Sequence, residues 1–324
     1  MDLILYHGHC PDGFCAAYIA SKKYPEAKLV PMDHGADHTE VLKECIHKDV
    51  LMVDFSLRTR EENDTLAAST RSFRILDHHK TAQVVLEGAP YAVFDMKRSG
   101  AGITWDELFG KEEDIPGIIT IPGQPRPWYV NFVEDRDLWN WALPNSREIC
   151  AYLGTLELTK EVWDRLDGVP SKFATDLGSG ALAHINHYVR EAVKQAQTGL
   201  LQGYKTAVLN VPYLNCSEIG NELAKTHEVS LTWFERGDGI IQFSLRSIGD
   251  IDVSAIAKVF NGGGHRNASG FQLPLEQGRE TIDRILGRDL ARIKYLTQEI
   301  ELIEHNLKAK AELEQLRSAG GCIK

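Results

Sequence analysis

Asp77, His78 and His79 stand in a row where an apolar run, Phe73 to Leu76, meets a polar stretch. A carboxylate and two imidazoles at a strand end can bind a divalent cation or move protons, and in an open α/β sheet the carboxyl ends of the strands line the ligand crevice. Read alone, the triplet also fits surface histidines beside a helix-capping aspartate. Similar residues recur beside other apolar runs: His7, His9 and Asp12 follow Leu3 to Tyr6, and Asp54 stands near the end of Val50 to Phe55. Asp135 and Asp137 belong to an acidic stretch set among Trp128, Phe132 and Trp139. Singly, each has a plain structural role, Asp12 as a cap, Asp54 as a loop carboxylate, His7 or His9 as a core histidine. Gathered in one crevice, so many carboxylates and imidazoles are tolerable only with cations between them. Mixed oxygen and imidazole ligands suit Mn²⁺, with Mg²⁺, Co²⁺ or Fe²⁺ as alternatives, and do not suit a thiolate zinc site.

A second set lies far downstream. Asn261 is followed by Gly262, Gly263, Gly264, His265 and Arg266. Glycines let backbone amides approach a phosphate closely, and the His and Arg add side-chain donors, although a glycine run also makes ordinary turns. Arg246, at the end of another strand-like run, either binds phosphate through its planar fork or sits in solvent.

The elements that position these residues follow from periodicity. Leu3 to Tyr6, Lys28 to Met32, Val50 to Phe55, Phe73 to Leu76 and Tyr91 to Phe94 alternate with helical patterns, which predicts a parallel sheet covered by helices on both faces. Asp54 and Asp77 should then project from one edge of that sheet. The proline-rich segment 115–127 reads as a loop, 146–203 as helical, and Ser171 to Gly180 as the connection between domains. Beyond it, strands at Tyr204 to Val211, Val229 to Phe234 and Ile240 to Leu245, with helices at Ser217 to Thr226 and Val253 to Phe260, predict a smaller α/β unit. Gly237-Asp238-Gly239 predicts a hairpin. Leu286, Leu290, Ile293, Leu296, Ile300, Ile303 and Leu307 recur three or four apart among charges, so a long C-terminal helix is expected to pack on its own domain or on a second copy, as a homodimer. The divisions are 1–155, 156–203, 204–275 and 276–324.

The chain has 324 residues and a net charge of −10, with no block of Lys or Arg. That excludes tracking of long nucleic acid by backbone electrostatics but leaves room for a small anionic substrate whose charge bound cations balance. No apolar stretch approaches the ~20 residues of a membrane span, and no secretory signal is read. Cys10, Cys15, Cys45, Cys150, Cys216 and Cys322 form no metal-binding spacing and read as free thiols in a reducing cytoplasm.

With these residues in view, the chain resembles the DHH phosphoesterases that carry a C-terminal DHHA1 domain. The resemblance rests on Asp77-His78-His79 and on Gly262 to His265 with its continuation to Gly270, and spans about residues 1 to 275. Val53-Asp54-Phe55-Ser56 looks like a second motif, and Val133 to Trp139 takes the place of a fourth. Within the family it looks like the nanoRNase branch, which degrades very short oligonucleotides. The first motif departs from the pattern, because Phe14 stands where an aspartate is common, and either His7 or His9 can be its histidine. The resemblance implies two divalent ions bridged by Asp54, with Asp12, His78 and Asp135 (preferred to Asp137) as further ligands, and His79 polarising the phosphate. His78, His79 and Asp77 would form the chemical centre. Arg246, Gly263, Gly264, His265 and Arg266 would hold the other end of the substrate in a cleft between domains. The implied reaction is hydrolysis of short oligoribonucleotides or linear dinucleotides to 5′-mononucleotides by a metal-activated water. A cyclic nucleotide or 3′-phosphoadenosine 5′-phosphate is the second substrate class, and a non-catalytic nucleotide sensor is the alternative outside enzymology.

Overall fold

The computed structural model describes residues 1–110 and 126–319. Most of the expected loop at 115–127, and Cys322, lie outside the described residues. Strands β1 (Leu3–His7), β2 (Lys28–Met32), β3 (Asp49–Val53), β4 (Ser72–Asp77) and β5 (Ala92–Phe94) form a parallel sheet in the order β2-β1-β3-β4-β5. Its strands read as continuous apolar runs because both faces are covered. Ile4 and Tyr6 enter one core with Phe14, Tyr18, Leu51 and Val53, while Leu3 and Leu5 enter another with Val50, Met52 and Ile75. Helices α1 (Pro11–Lys23), α2 (Thr39–Glu44), α3 (Arg60–Ser69) and α4 (Lys80–Val85) connect the strands, and α5 (Gly100–Phe109), α6 (Trp128–Asp137) and α7 (Ser146–Leu153) follow.

The segment read as a helical connection is largely helix. After α8 (Lys160–Trp163), helix α9 runs unbroken over Ser171–Ala192 and includes the whole polar stretch to Gly180. Trp163, Leu166 and Ala174 are buried in the first domain's core. Gly178 lets α9 cross α7 so closely that a Cβ there would stand 1.8 Å from the Glu148 carbonyl oxygen. The polar residues belong to the outer face of this helix. Farther along, Ile185, Tyr188 and Val189 pack with Leu209, Ile219 and Leu223, so α9 joins the two domains.

The second sheet has the order β10-β11-β9-β8-β7-β6, and β7 with β8 is its parallel pair. Its strands are β6 (Gln197–Leu201), β7 (Tyr204–Asn210), β8 (Val229–Glu235), β9 (Ile240–Arg246), β10 (Gly263–His265) and β11 (Ala268–Pro274). β6 lies inside the stretch expected to be helical. It pairs with β7 across Gln202 and Gly203, whose φ values of 50° and 89° make a tight hairpin turn. The β8–β9 hairpin forms as expected, with Gly239 at φ 80°. Helices α10 (Cys216–Leu223), α11 (Val253–Val259) and α12 (Leu275–Ile285) cover this sheet. Gly287, at φ 66°, then separates α12 from α13 (Arg288–Ala319). Ile282 and Ile285 of α12 are buried in the second core, whereas Ile293, Leu296, Ile300, Ile303 and Leu307 of α13 are exposed.

Candidate metal centre between the domains

In the first sheet β2 lies on one side of β1 and β3 on the other, so the strand order reverses between β1 and β3. Ligands of open α/β sheets bind at such a switch point, outside the carboxyl ends of the strands. His7 ends β1, and Asp54 directly follows β3. Asp54 has φ 53°, a left-handed conformation that Asp tolerates better than most residues. Two glycines make the crowding around them feasible. A Cβ at Gly13 would lie 2.3 Å from the His7 carbonyl oxygen, and one at Gly100 would lie 2.5 Å from Asp54 Cβ and 2.9 Å from Asp12 Oδ2. The first turn of α5 anchors Asp12, whose Oδ2 accepts from Gly100 N at 2.6 Å and whose Oδ1 accepts from Ala101 N at 3.1 Å.

Five elements, β1, α1, β3, β4 and α6, thus deliver side chains to one point. His78 Nε2 lies 3.2 Å from Asp54 Oδ1, 3.4 Å from Asp137 Oδ2 and 3.7 Å from Asp12 Oδ2. His7 Nδ1 lies 3.4 Å from Asp54 Oδ2. Asp12, Asp54 and His78 are each 2% exposed. Burial pushes the Asp12 carboxyl well above the usual carboxylate range, and Asp137 and Asp54 push it further. Burial also raises Asp137, with Asp54 adding to the effect and His78 opposing it. Desolvation works against charge on His78 and His7 as well, but Asp137, Asp54 and Asp12 outweigh it at His78, and Asp54 with Cys10 outweighs it at His7, so both imidazoles are held well above their ordinary value. At Asp54 burial is again opposed and outweighed, by His7 and His78, so this carboxyl is held well below its ordinary value. Asp54 Oδ1, His7 Nδ1, His78 Nδ1 and Asp137 Oδ2 are buried without a hydrogen-bond partner. Orphaned buried polar atoms cost ~1–3 kcal/mol each, and a divalent cation is what Asp54 Oδ1, Asp137 Oδ2 and His7 Nδ1, with the neighbouring His78 Nε2, would accept in compensation. Asp12, Asp54 and His78 form one group whose ligand atoms all lie within 4.8 Å of one another, and His7, Cys10 and Asp54 form another.

Asp77 has a different task. Its Oδ2 accepts from Ser56 Oγ at 2.5 Å, and its Oδ1 accepts from His78 N at 2.7 Å and His79 N at 3.1 Å. His79 Nδ1 lies 2.7 Å from the same Oδ1, so Asp77 holds the triplet's backbone and orients the His79 ring. The second domain closes over this point. The His265 ring stacks on His79 with centroids 4.7 Å apart and an interplanar angle of 21°, and its centroid is also 4.7 Å from that of His78. Burial, then His79 and His78, hold the His265 imidazole well below its usual pKa. Around it the domains touch through Gly264 N donating to Thr81 Oγ1 at 3.3 Å, Lys80 with Asp252 at 2.5 Å, Tyr213 Oη donating to the His9 carbonyl at 2.9 Å, and Arg136 with Glu218 at 2.9 Å.

Several sequence-based assignments change place. Asp135 does not reach the cluster: its carboxylate accepts from Ala142 N at 2.9 Å and Leu143 N at 3.2 Å and fastens the turn after α6, while Asp137 stands beside His78. Of the two first-motif histidines, His7 is in the cluster, and His9 is turned outward, 81% exposed and 3.7 Å from Asp33. His265, expected to grip a remote part of the substrate, sits against His78 and His79. Arg266 is exposed and donates to the Asp250 carbonyl within its own domain at 2.7 Å. Arg246 is half-buried and donates to Ser217 Oγ at 2.7 Å. Gly263 faces Thr81, where an added Cβ would stand 2.8 Å from Oγ1. Cys10 and Gly100 were not singled out from the sequence as site residues. The run Ser99-Gly100-Ala101-Gly102 ahead of a helix is the signal that marks Gly100, whereas nothing in the cysteine spacing marks Cys10.

Residues 204–288 match the model of the DHHA1 domain. Among solved structures the chain is similar to the pGpG-specific phosphodiesterase PggH of Vibrio cholerae, at 12% identity and TM-score 0.42 over 89% of this chain and 98% of that one. It is also similar to RecJ in complex with Mn²⁺ from Thermus thermophilus, at 15% identity and TM-score 0.48 over 88% of this chain and 52% of that one. Over 296 residues, 83% of this chain and 67% of the relative, it is 31% identical to the uncharacterized protein R106 of Acanthamoeba polyphaga mimivirus. The chain belongs to the same family as R106, and its second domain is a DHHA1 domain.

Proposed function

We propose that this protein is a divalent-metal-dependent phosphodiesterase of the DHH type, acting on short oligoribonucleotides or linear dinucleotides and releasing 5′-mononucleotides. The observation that carries the reading is the set of orphaned buried atoms of His7, Asp54 and Asp137 around His78 Nε2 at the carboxyl ends of the strands, capped by His265 from the DHHA1 domain. His7, Asp12, Asp54, His78 and Asp137 would hold two divalent ions, and Asp54 approaches both His7 and His78. Such ions supply Lewis-acid polarisation of a phosphoryl group and a nucleophilic water at neutral pH. The protein's own part is orientation. Asp77 holds His79 Nδ1, which leaves Nε2 as the ring atom to meet a phosphoryl oxygen. His265 faces the same point from the opposite domain. Contacts between the domains on several sides of this point support a short substrate over a long strand.

Among the described residues no helix is long and apolar enough to cross a membrane. A cytoplasmic setting fits the free thiols of Cys10, Cys15, Cys45, Cys150 and Cys216. The exposed apolar seam of α13 supports pairing with a second copy. Purified protein with Mn²⁺, assayed on labelled dinucleotides, longer RNA, cyclic dinucleotides and 3′-phosphoadenosine 5′-phosphate, tests the proposal. Dinucleotides should be cleaved fastest. Preference for a cyclic nucleotide or for 3′-phosphoadenosine 5′-phosphate would replace the substrate class, and binding without turnover of any of them would replace the enzyme by a sensor.

A further inference from the structure

We infer that Cys10 is a sulfur ligand of the metal centre and biases it toward softer divalent ions, Zn²⁺ or Co²⁺, over Mn²⁺ and Mg²⁺. The inference rests on the metal-site reading above and concerns which ion the chain's own residues select. Cys10 lies between β1 and α1 and occupies the N-cap of α1, yet its side chain caps no backbone amide. Instead its sulfur, a His7 ring nitrogen and an Asp54 carboxylate oxygen all lie within 4.8 Å of one another. The sulfur does not stand alone as a signal. Asp54, 2% exposed, carries Oδ1 with no hydrogen-bond partner, and His7 Nδ1 is likewise buried without one. One nitrogen, one oxygen and one sulfur therefore converge, and the buried Asp54 carboxylate and the His7 ring each carry an atom with no hydrogen-bond partner.

A thiolate changes the chemistry that an oxygen and imidazole set would have. Carboxylate and water suit Mg²⁺ and Mn²⁺, whereas thiolate donors select softer ions such as Zn²⁺. On binding, the thiol proton leaves to solvent as the sulfur–metal bond forms, so one proton is released for each such bond. Cys15, by contrast, is fully buried in the apolar core.

The test is Co²⁺ titration of the full-length protein and of Cys10→Ser and Cys10→Asp, followed by visible and near-ultraviolet absorption, with competition between Zn²⁺ and Mn²⁺. Ser and Asp are both favourable N-cap residues, so both variants should fold, and circular dichroism checks that they do. The wild type should show a sulfur-to-cobalt charge-transfer band. Cys10→Ser should lose that band while retaining the visible bands of bound Co²⁺, and the preference for Zn²⁺ over Mn²⁺ should fall in Cys10→Ser and fall further in Cys10→Asp. Bound Co²⁺ with no charge-transfer band in the wild type, or a band that survives Cys10→Ser, would overturn the inference and leave the metal site standing. Failure of the wild type to bind Co²⁺, Zn²⁺ or Mn²⁺ would remove the metal-site reading itself.

Discussion

Asp54 is the residue through which the cluster is joined, since it approaches His7 with one oxygen and His78 with the other. Its φ of 53° makes Asn the clean substitution, because Asn tolerates the left-handed region that Ala enters at a cost of ~1–2 kcal/mol. Asp54→Asn should abolish turnover and reduce bound metal while the fold survives. Metal analysis and activity check it, and wild-type values for both would sink the dinuclear proposal. Asp77→Asn separates orientation from ligation. It weakens the hold on His79 while leaving His7, Asp12, Asp54 and Asp137 in place, so kcat should fall ~10- to 100-fold, the usual effect of losing an orienting partner, with metal content unchanged. Loss of metal in that variant would mean that Asp77 acts as a ligand. The histidines and aspartates at the strand ends were legible because a strand end fixes which way the next residues go. Asp135 and Asp137 were not separable, since residues two apart on a helix point roughly 200° away from each other and only the packing of α6 says which side faces inward.

Gly178 shows what an element can demand of one residue. Ala is the better helix former by ~1 kcal/mol, but here its Cβ would meet the Glu148 carbonyl at 1.8 Å, and overpacking costs ~1–3 kcal/mol. Gly178→Ala should therefore lower stability in chemical denaturation and leave the metal content of the folded protein alone. A stabilised variant would show that α7 and α9 separate without cost. The five strands of the first sheet were legible as apolar runs because both faces are covered. β6 was not, because Gln197, Thr198 and Leu200 are exposed on an edge strand and carry little periodicity.

At the scale of the whole molecule, the second domain brings His265 against His78 and His79. Arg246 donates to Ser217 Oγ, and the role proposed for it is to grip a part of the substrate away from the reacting phosphorus. A hydrogen bond to a charged group contributes about 1.5 to 3 kcal/mol, so Arg246→Ala should lose on the order of 10- to 100-fold in kcat/KM on a dinucleotide. Bis(p-nitrophenyl) phosphate offers nothing for that grip and should be hydrolysed almost as well by the variant as by the wild type. Equal losses on both substrates would place Arg246 at the chemical centre. The assembly prediction follows from α13. Truncation after Leu286 keeps α12, whose Ile282 and Ile285 belong to the second core, and removes the exposed seam. It should convert a dimer into a monomer in sedimentation, and a full-length monomer would show that the seam does not pair copies of the chain.

The sequence by itself determined the α/β class, the alternation that makes the first sheet parallel, and the edge from which Asp54 and Asp77 emerge, because these depend on local periodicity and on strand ends. It also carried the Gly262 to His265 stretch of the second domain. Tertiary structure decided what depends on distance across the fold. It placed His265 against His79 and His7 rather than His9 in the cluster, turned Asp137 inward and Asp135 onto backbone amides, and brought Cys10 beside Asp54. The physical reason is that a side chain's partners are set by how helices and domains pack, and residues such as His79 and His265, far apart in the chain, share no local pattern that records their meeting.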